Sequence, residues 1–218
     1  MAEPMPLARV STVDALVGAL RSRILTGDLP PGSHLSEVEL AGAYGVGRHS
    51  LRAAFRELAR DGLLVHEPNR GVRVPVPTAA ESEDLYRHRA ALELGALRVA
   101  LADGRSFAGI REPLALLEQM PADEPWDRVA VVHDAIHAAV VDAAASRRLS
   151  AAYAALQGEL LFFVTRIRPL YTVQTMIDAH RLLADALTSG DPVAAETALA
   201  NDLAQGRVAL RTALPAGR

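Results

Sequence analysis

Apolar residues recur at helical spacing over most of the chain, and the polar breaks between them mark two unlike stretches. Val13, Leu16, Val17, Leu20 and Ile24 fall on one face of a helix from Thr12 to Thr26, which Gly27 and then Pro30-Pro31-Gly32 end. Ser36-Glu37-Val38-Glu39 has the form of a capping box, Ser36 as N-cap and Glu39 three residues on, and predicts a short helix to about Tyr44. Gly45-Val46-Gly47 makes a tight turn. A second short helix follows from about Arg48 to Arg60, with Leu51, Phe55 and Leu58 inward and Asp61-Gly62 as its stop. Two brief β-like runs, Leu63-Leu64-Val65-His66 and Val72-Arg73-Val74, flank the turn Pro68-Asn69-Arg70-Gly71. Helix, short helix, tight turn, helix and hairpin, in that order, predict a winged helix-turn-helix.

Pro75-Val76-Pro77-Thr78 reads as a linker, and nearly everything after it is helical. Leu85, Leu92 and Leu97 mark a long helix from about Ala80 to Ala102. Others are expected near Phe107 to Met120, Trp126 to Ala145, Arg147 to Arg166, Val173 to Thr188 and Pro192 to Thr212. Gly190-Asp191-Pro192 separates the last two, with proline suited to a first helical turn. Aromatics are only 4%, so this core is expected to be mostly Ala, Leu and Val, which permits close helix packing. The predicted fold is mostly α: a winged helix-turn-helix over residues 1–76 joined to an antiparallel all-helical bundle over residues 77–218.

Composition narrows the setting. Half of the chain is apolar and 22% is charged, enough to bury a core and too apolar for a disordered tail. The longest apolar stretch, Leu149 to Ile167, is interrupted by Gln157, Glu159 and Arg166, short of the ~18–20 uncharged residues of a membrane span. The opening MAEPMPLARV lacks a basic segment followed by an apolar one, so no secretory signal is expected. Without cysteine there is no disulfide, thiolate ligand or thiol nucleophile, and a cytoplasmic protein is the expectation. The net charge of -3 is unevenly spread. Residues 1–78 carry nine Arg against eight acids, residues 79–218 fourteen against eighteen, and Val46 to Arg60 holds four Arg and only Glu57. A local basic element on an acidic body points to a directed polyanion contact.

Arg48, Arg52, Arg56 and Arg60 are four apart and form one slanting stripe opposite Leu51, Phe55 and Leu58. Arginine forks suit phosphates and the O6/N7 edge of guanine. An isolated stripe of this kind is more often a solvated face; the helix-turn-helix around it turns the reading toward DNA. The residues carrying it, Leu29-Pro30-Pro31-Gly32-Ser33-His34-Leu35-Ser36-Glu37-Val38-Glu39-Leu40-Ala41, Tyr44-Gly45-Val46-Gly47-Arg48, Leu51-Arg52, Gly62-Leu63-Leu64 and Asn69-Arg70-Gly71, resemble the DNA-binding domain of GntR-family bacterial transcription regulators. The resemblance spans roughly Val13 to Val74. It implies that Arg48 and Arg52 contact DNA, that Gly71 sits at the wing tip, and that Arg48, His49, Ser50, Arg52, Arg56, Asn69, Arg70 and Gly71 form the DNA-facing set. Four positions depart from the family pattern, in three places. Gly47 replaces the usual Ser or Thr, a weaker N-cap, His49-Ser50 replaces Thr-Pro, and Ala53 replaces Glu. These bear on which operator is read.

The later stretch resembles the FCD effector domain of FadR-type regulators. Leu85-Tyr86-Arg87-His88-Arg89-Ala90-Ala91-Leu92-Glu93 looks like its Arg-x-x-Leu-Glu start, and His180-Arg181-Leu182-Leu183 with Gly190-Asp191 and Ala194-Ala195 looks like its last helical pair. Many FCD domains hold a divalent metal with one Asp and three His. The matching positions here are His133, His137, His180 and Asp202, so Asp and His have exchanged places while the set remains three imidazoles and a carboxylate. His133 and His137 are one turn apart on one helix face. Imidazole with carboxylate suits Zn, Ni, Fe or Mn. The competing reading is a surface His pair with a solvated Asp202, and Asp134 is a rival ligand. Arg89 matches a family arginine that faces the cavity and holds a ligand carboxylate in its fork. The plainer alternative is a salt bridge to Glu93 one turn on. Arg98, Arg166 and Arg168 are possible secondary anchors.

These resemblances imply a ligand-responsive transcription regulator, not an enzyme. A homodimer would present two heads to a pseudo-palindromic double-stranded operator. A small effector, a carboxylate, would bind the metal-containing helical domain, with Pro75 to Thr78 as hinge and repression taken as the sign. Two alternatives stand beside this. One is a metal-dependent hydrolase carrying a helix-turn-helix as interaction module, against which no His-Glu-x-x-His, Gly-rich phosphate loop or serine elbow is present. The other is a regulator whose metal is purely structural.

Overall fold

The computed structural model describes residues 11–67 and 70–215, and the chain divides between Pro75 and Val76 into two compact units. The expected division lay one residue later. The first unit runs α1 (Thr12–Thr26), β1 (His34–Leu35), α2 (Glu37–Tyr44), α3 (Arg48–Arg60), β2 (Val65–Glu67) and β3 (Gly71–Arg73). α1 opens on a full capping box, Ser11 Oγ accepting from the Asp14 N–H and Asp14 accepting from the Ser11 N–H, and closes on left-handed Gly27. Its buried Leu16, Leu20 and Ile24 face α3, which buries Leu51, Phe55 and Leu58. At about 1.5–3 kcal/mol for each fully buried large apolar side chain, this helix pair is the centre of the unit's core.

Two features differ from expectation. At Ser36 only half of the capping box forms: the hydroxyl accepts from the Glu39 N–H at 3.3 Å, with no return bond from the Glu39 carboxylate among the described residues. The wing is a three-stranded antiparallel sheet of order β1-β3-β2, with His34 paired to Arg73 and Leu35 to Val72. A two-residue strand is too short to show a period, so β1 is defined only by its partner. On the other side Val65 pairs with Arg73 and Glu67 with Gly71. Gly71 enters β3 at φ 86, a conformation that favours glycine. Leu63 and Leu64, expected in the hairpin, are buried ahead of it.

The second unit contains α4 (Ala79–Ala102), α5 (Arg111–Glu118), α6 (Trp126–Asp142), α7 (Arg147–Ala154), α8 (Gln157–Val164), α9 (Val173–Thr188) and α10 (Pro192–Ala213). α4 begins in the expected linker: Thr78 is its N-cap, in a capping box with Glu81, and the Ala79 N–H donates to the Pro215 carbonyl at 3.1 Å. α4 packs on α6 and α10, and α9 on α5 and α10. Ala96, Ala100, Ala130 and Ala195 are buried along these helices and let them approach closely. The few aromatics gather here, with Tyr86, Phe107, Trp126, Tyr153, Phe162 and Phe163 all buried.

The expected single helix from Arg147 to Arg166 is two helices broken at Ala155-Leu156, followed by a 3-10 segment (Thr165–Leu170). Tyr153 and Gln157, on either side of the break, both donate to Asp134 of α6 at 2.9 Å, a tertiary tie that spacing does not reveal. Pro169 inside the 3-10 segment excludes an α-helix there. The expected helix from Phe107 begins as a 3-10 turn (Ala108–Ile110) before α5, and α6 stops at Asp142, three residues short. No helix among the described residues is long and apolar enough to cross a membrane.

Candidate functional site

The first unit presents one face of α3. Arg48, His49, Arg52, Arg56 and Arg60 are exposed and Ser50 is half-buried, while the opposite face is core. Arg70 and Gly71 are exposed on the wing; Asn69 lies outside the described residues. Gly47 gives α3 no side-chain cap, which leaves its first N–H groups available. Arg52 Nε donates to Glu37 Oε2 at 2.8 Å, so α2 steadies the guanidinium while its two terminal nitrogens have no protein partner among the described residues. Glu37, Arg52, Phe55, Arg56, His66 and Val72 line a cleft of about 440 Å³ between α3 and the wing. Glu37 and His66 were absent from the expected set. Glu37 carries no sequence signal beyond its place beside a cap, and His66 lies on a strand whose partner is fixed only by the fold.

In the second unit α6 brings His133 and His137 inward, α9 supplies His180 and α10 supplies Asp202. One nitrogen from each histidine falls within 4.8 Å of the others. The Nε2 atoms of His137 and His180 are 3.4 Å apart, and Asp202 Oδ2 stands 3.4 Å from His137 Nε2. The Nδ1 positions are committed elsewhere. That of His137 donates to Glu93 Oε2 at 2.8 Å and that of His180 to the Met176 carbonyl at 2.7 Å. The two Nε2 atoms face each other. Burial pushes the His180 pKa down, and it pushes that of His133 well down, helped by repulsion from His137, His180 and Arg89. His133 Nδ1 is buried without a partner.

This donor set fits a divalent cation. Two nitrogens at a tetrahedral angle and ~2.0–2.1 Å from zinc stand roughly 3.3–3.4 Å apart, the spacing of the His137–His180 pair, and the three-histidine set lies within 4.8 Å. The outward N–H···carboxylate and N–H···carbonyl bonds are those that hold ligating imidazoles in place. The surface reading of the His pair is corrected, because His133 and His137 are both buried. Asp134 is corrected as a rival ligand, because its carboxylate is taken by Tyr153 and Gln157. Burial raises its pKa.

Arg89 combines the two roles weighed for it. Its Nε donates to Glu93 Oε1 at 2.5 Å and its Nη1 to the Tyr86 hydroxyl at 3.2 Å, while Nη2 is buried with no partner. Glu93 thus bridges Arg89 and His137. Burial alone would raise its pKa, but the Arg89 charge and the hydrogen bonds from His137 and Arg89 outweigh burial and hold it below the ordinary carboxylate value. A cavity of about 20 Å³ is lined by Tyr86, Arg89, His133, Tyr171, His180 and Asp202, among others. Of the secondary anchors, Arg98 is paired with Glu196, Arg168 is exposed, and Arg166 lies over the Phe162 ring with Nε and Nη2 unpartnered.

Comparison with known proteins adds to this geometry. Residues 12–74 match the family described as bacterial regulatory proteins, gntR family, and residues 84–205 match the FCD domain. A protein of Paenarthrobacter nicotinovorans named "Probable D-xylose utilization operon transcriptional repressor" is 29% identical over 199 residues, covering 91% of this chain and 88% of its own. A helix-turn-helix transcriptional regulator of Streptomyces ambofaciens is 31% identical over 191 residues, covering 84% and 78%. The crystal structure of a transcriptional regulator GntR from Rhodococcus sp. RHA1 matches with TM-score 0.79 at 27% identity, over 93% of this chain and 99% of that one. E. coli McbR/YncC shares the fold, with TM-score 0.72 at 22% identity, over 94% and 99%. The matched families and these two relatives are transcription regulators, so the hydrolase alternative falls away.

Proposed function

The chain belongs to the GntR family of bacterial transcription regulators and carries an FCD domain, and from this we propose that it is a dimeric, effector-controlled repressor whose helical domain holds a divalent metal. It acts in the cytoplasm, where its operator lies. α3 is the reading element. Because Glu37 occupies Arg52 Nε, the remaining fork is free for a guanine edge, while Arg48, His49, Ser50 and Arg56 serve backbone contacts with Arg70 and Gly71 of the wing. The N-terminus of α3, uncapped by any side chain, suits a phosphate. Two heads related by two-fold symmetry would read a pseudo-palindromic operator. Fluorescence anisotropy with operator and scrambled duplexes at fixed salt tests this: Arg52→Ala should lose about 1–3 kcal/mol of discrimination while the fold survives. Unaltered discrimination would refute it.

The observation that carries the metal reading is the pair of facing Nε2 atoms at His137 and His180, with Asp202 beside them and His133 Nδ1 unpartnered. A bound Zn, Ni, Fe or Mn ion supplies positive charge and an acceptor position for a ligand oxygen. Glu93 orients His137, and Arg89 Nη2 offers an unused donor at the same chamber. An effector carboxylate suits that donor. The repressor in the name of the Paenarthrobacter relative supports the sign; its sugar is not carried over, because the unpartnered Arg89 Nη2 donor suits a carboxylate. By favouring one arrangement of the heads, the effector shifts operator affinity only by its differential affinity for the two states. Elemental analysis of untagged protein should find about one such ion per chain, lost in His137→Ala/His180→Ala. No ion after loading and desalting would overturn the metal. A purely structural metal is the second reading, favoured by the small chamber. Operator affinity indifferent to a carboxylate panel would decide for it.

A further inference from the structure

The chamber beside the three histidines has a volume of about 20 Å³. That is roughly the room of one water or ion, and a carboxylate on a carbon body does not fit. Most of its walls are fixed. His180 is held through Nδ1, and Ile167 and Met176 belong to the core. Tyr86 differs. Among the described residues it alone lines both this chamber and a second, open groove of about 340 Å³ between α4 and α10. Its ring lies against Gly206 of α10, where a Cβ would stand 2.8 Å from the hydroxyl oxygen, so glycine is what lets the ring close there. Arg89 Nη1 fastens that hydroxyl at 3.2 Å. One side chain therefore separates an ion-sized chamber from a metabolite-sized groove.

We propose that this groove is the outer half of the effector site and Tyr86 its door. A short dicarboxylic acid places one carboxylate at Arg89 Nη2 once the ring swings aside, and lays its carbon body against Ala90, Leu94 and Leu203. Its second carboxylate meets Arg87 and Arg207 at the rim. Both of these arginines reach Glu83, at 3.6 and 3.1 Å, so two guanidinium groups share one carboxylate and a positive charge is left over. The proposal rests on the helical unit being an effector domain. Opening the door breaks the Arg89–Tyr86 hydrogen bond, which tethers the ring while the chamber is empty.

Diethylpyrocarbonate labelling of the metal-free full-length protein, read at His133 and His180 by peptide mass spectrometry, tests the door. A hydrogen bond from a charged donor is expected to hold the opening equilibrium by about tenfold, so Tyr86→Phe should label about tenfold faster and Tyr171→Ala stay within about twofold of wild type. Equal rates in Tyr86→Phe and wild type, or a larger effect of Tyr171→Ala, overturn the door. Calorimetry with glutarate tests the groove: Arg87→Gln/Arg207→Gln should weaken glutarate by about tenfold and leave butyrate unchanged. No glutarate binding to the wild type, or equal losses for both acids, overturns the outer site. Leu94→Glu should leave the oligomeric state unchanged, and dissociation into monomers would assign the groove to a second copy. Failure of the effector reading itself shows separately, as operator affinity that no carboxylate alters.

Discussion

Glu93 is fully buried, and both of its oxygens are engaged, Oε1 by Arg89 Nε at 2.5 Å and Oε2 by His137 Nδ1 at 2.8 Å. Glu93→Gln keeps the shape and removes the charge. The amide oxygen can serve one donor, but the amide nitrogen then faces the other, donor against donor. Arg89 is left a buried cation whose one remaining partner among the described residues is the Tyr86 hydroxyl. Breaking a buried ion pair from one side costs about 3–5 kcal/mol, and the retained hydrogen bond returns about 1 kcal/mol, so we expect a loss of about 2–4 kcal/mol. At ~2–4 °C per kcal/mol for a chain of this size, Tm should fall by roughly 5–15 °C in circular-dichroism melts. Adding Arg89→Met removes the stranded cation and should restore most of the loss, because burying neither charge is cheaper than burying one. Zinc affinity, measured separately, should fall about 10–100-fold in the single variant because His137 loses its orienting carboxylate. A Tm within about 2 °C of wild type, or a double variant no more stable than the single, would refute the reasoning.

Glu37→Gln should loosen Arg52 without unfolding the head. The pair is largely exposed, 61% and 30%, so the effect is small, about a two- to fivefold fall in operator-to-scrambled preference by competition anisotropy. An unchanged preference would mean that Glu37 does not position the reading arginine. The metal-free protein should lose stability on acidification. His133 and His180 have folded pKa values pulled below the ordinary imidazole value of 6.5 by burial, so between those lowered values and 6.5 the unfolded chain binds more protons. The slope reaches about 1.4 kcal/mol per pH unit for each histidine. Urea denaturation between pH 7.5 and 5.5 reads this directly, and a flat or rising stability contradicts it.

What was legible in the sequence was local. Asp191 before Pro192 is a cap written within four residues, and apolar spacing alone put the helices after Ser11 and Thr78 close to where they lie, although their capping boxes with Asp14 and Glu81 went unread. β1 was illegible because its two residues become a strand only through register with β3, far along the chain. The break between α7 and α8 carries no glycine or proline, and only Asp134, on another helix, gives it a reason. At the site, the one-turn spacing of His133 and His137 showed a shared face, whereas His180 and Asp202 came from resemblance. Glu93 was visible as the i,i+4 partner of Arg89, but its second bond crosses from α4 to α6, and no spacing along one helix encodes that. Tyr86 as a partition depends on the missing Cβ of Gly206, more than a hundred residues away.

The placing of His133 on α6 and Asp202 on α10, the reverse of what the family resemblance implies, has an electrostatic logic. His133 lies deep, and the next residue, Asp134, is already a buried acid whose pKa burial raises. A second carboxylate at position 133 would lose its hydration beside the first, while a neutral imidazole there costs far less to bury. Asp202 sits at the half-open edge, 17% exposed, where a charge keeps some of its water. Arg89 is already matched by Glu93, so the carboxylate of Asp202 is the uncompensated charge facing the chamber. With a divalent ion held there, the balance reverses to a net positive charge, and an acid gains what a neutral sugar would not. Acid and ion then share one coupling free energy, so the factor by which zinc tightens glutarate must equal the factor by which glutarate tightens zinc. Glutarate binding with the same affinity to loaded and metal-free protein would mean that the acid does not reach the histidine chamber, and that Arg87 and Arg207 hold it in the outer groove alone.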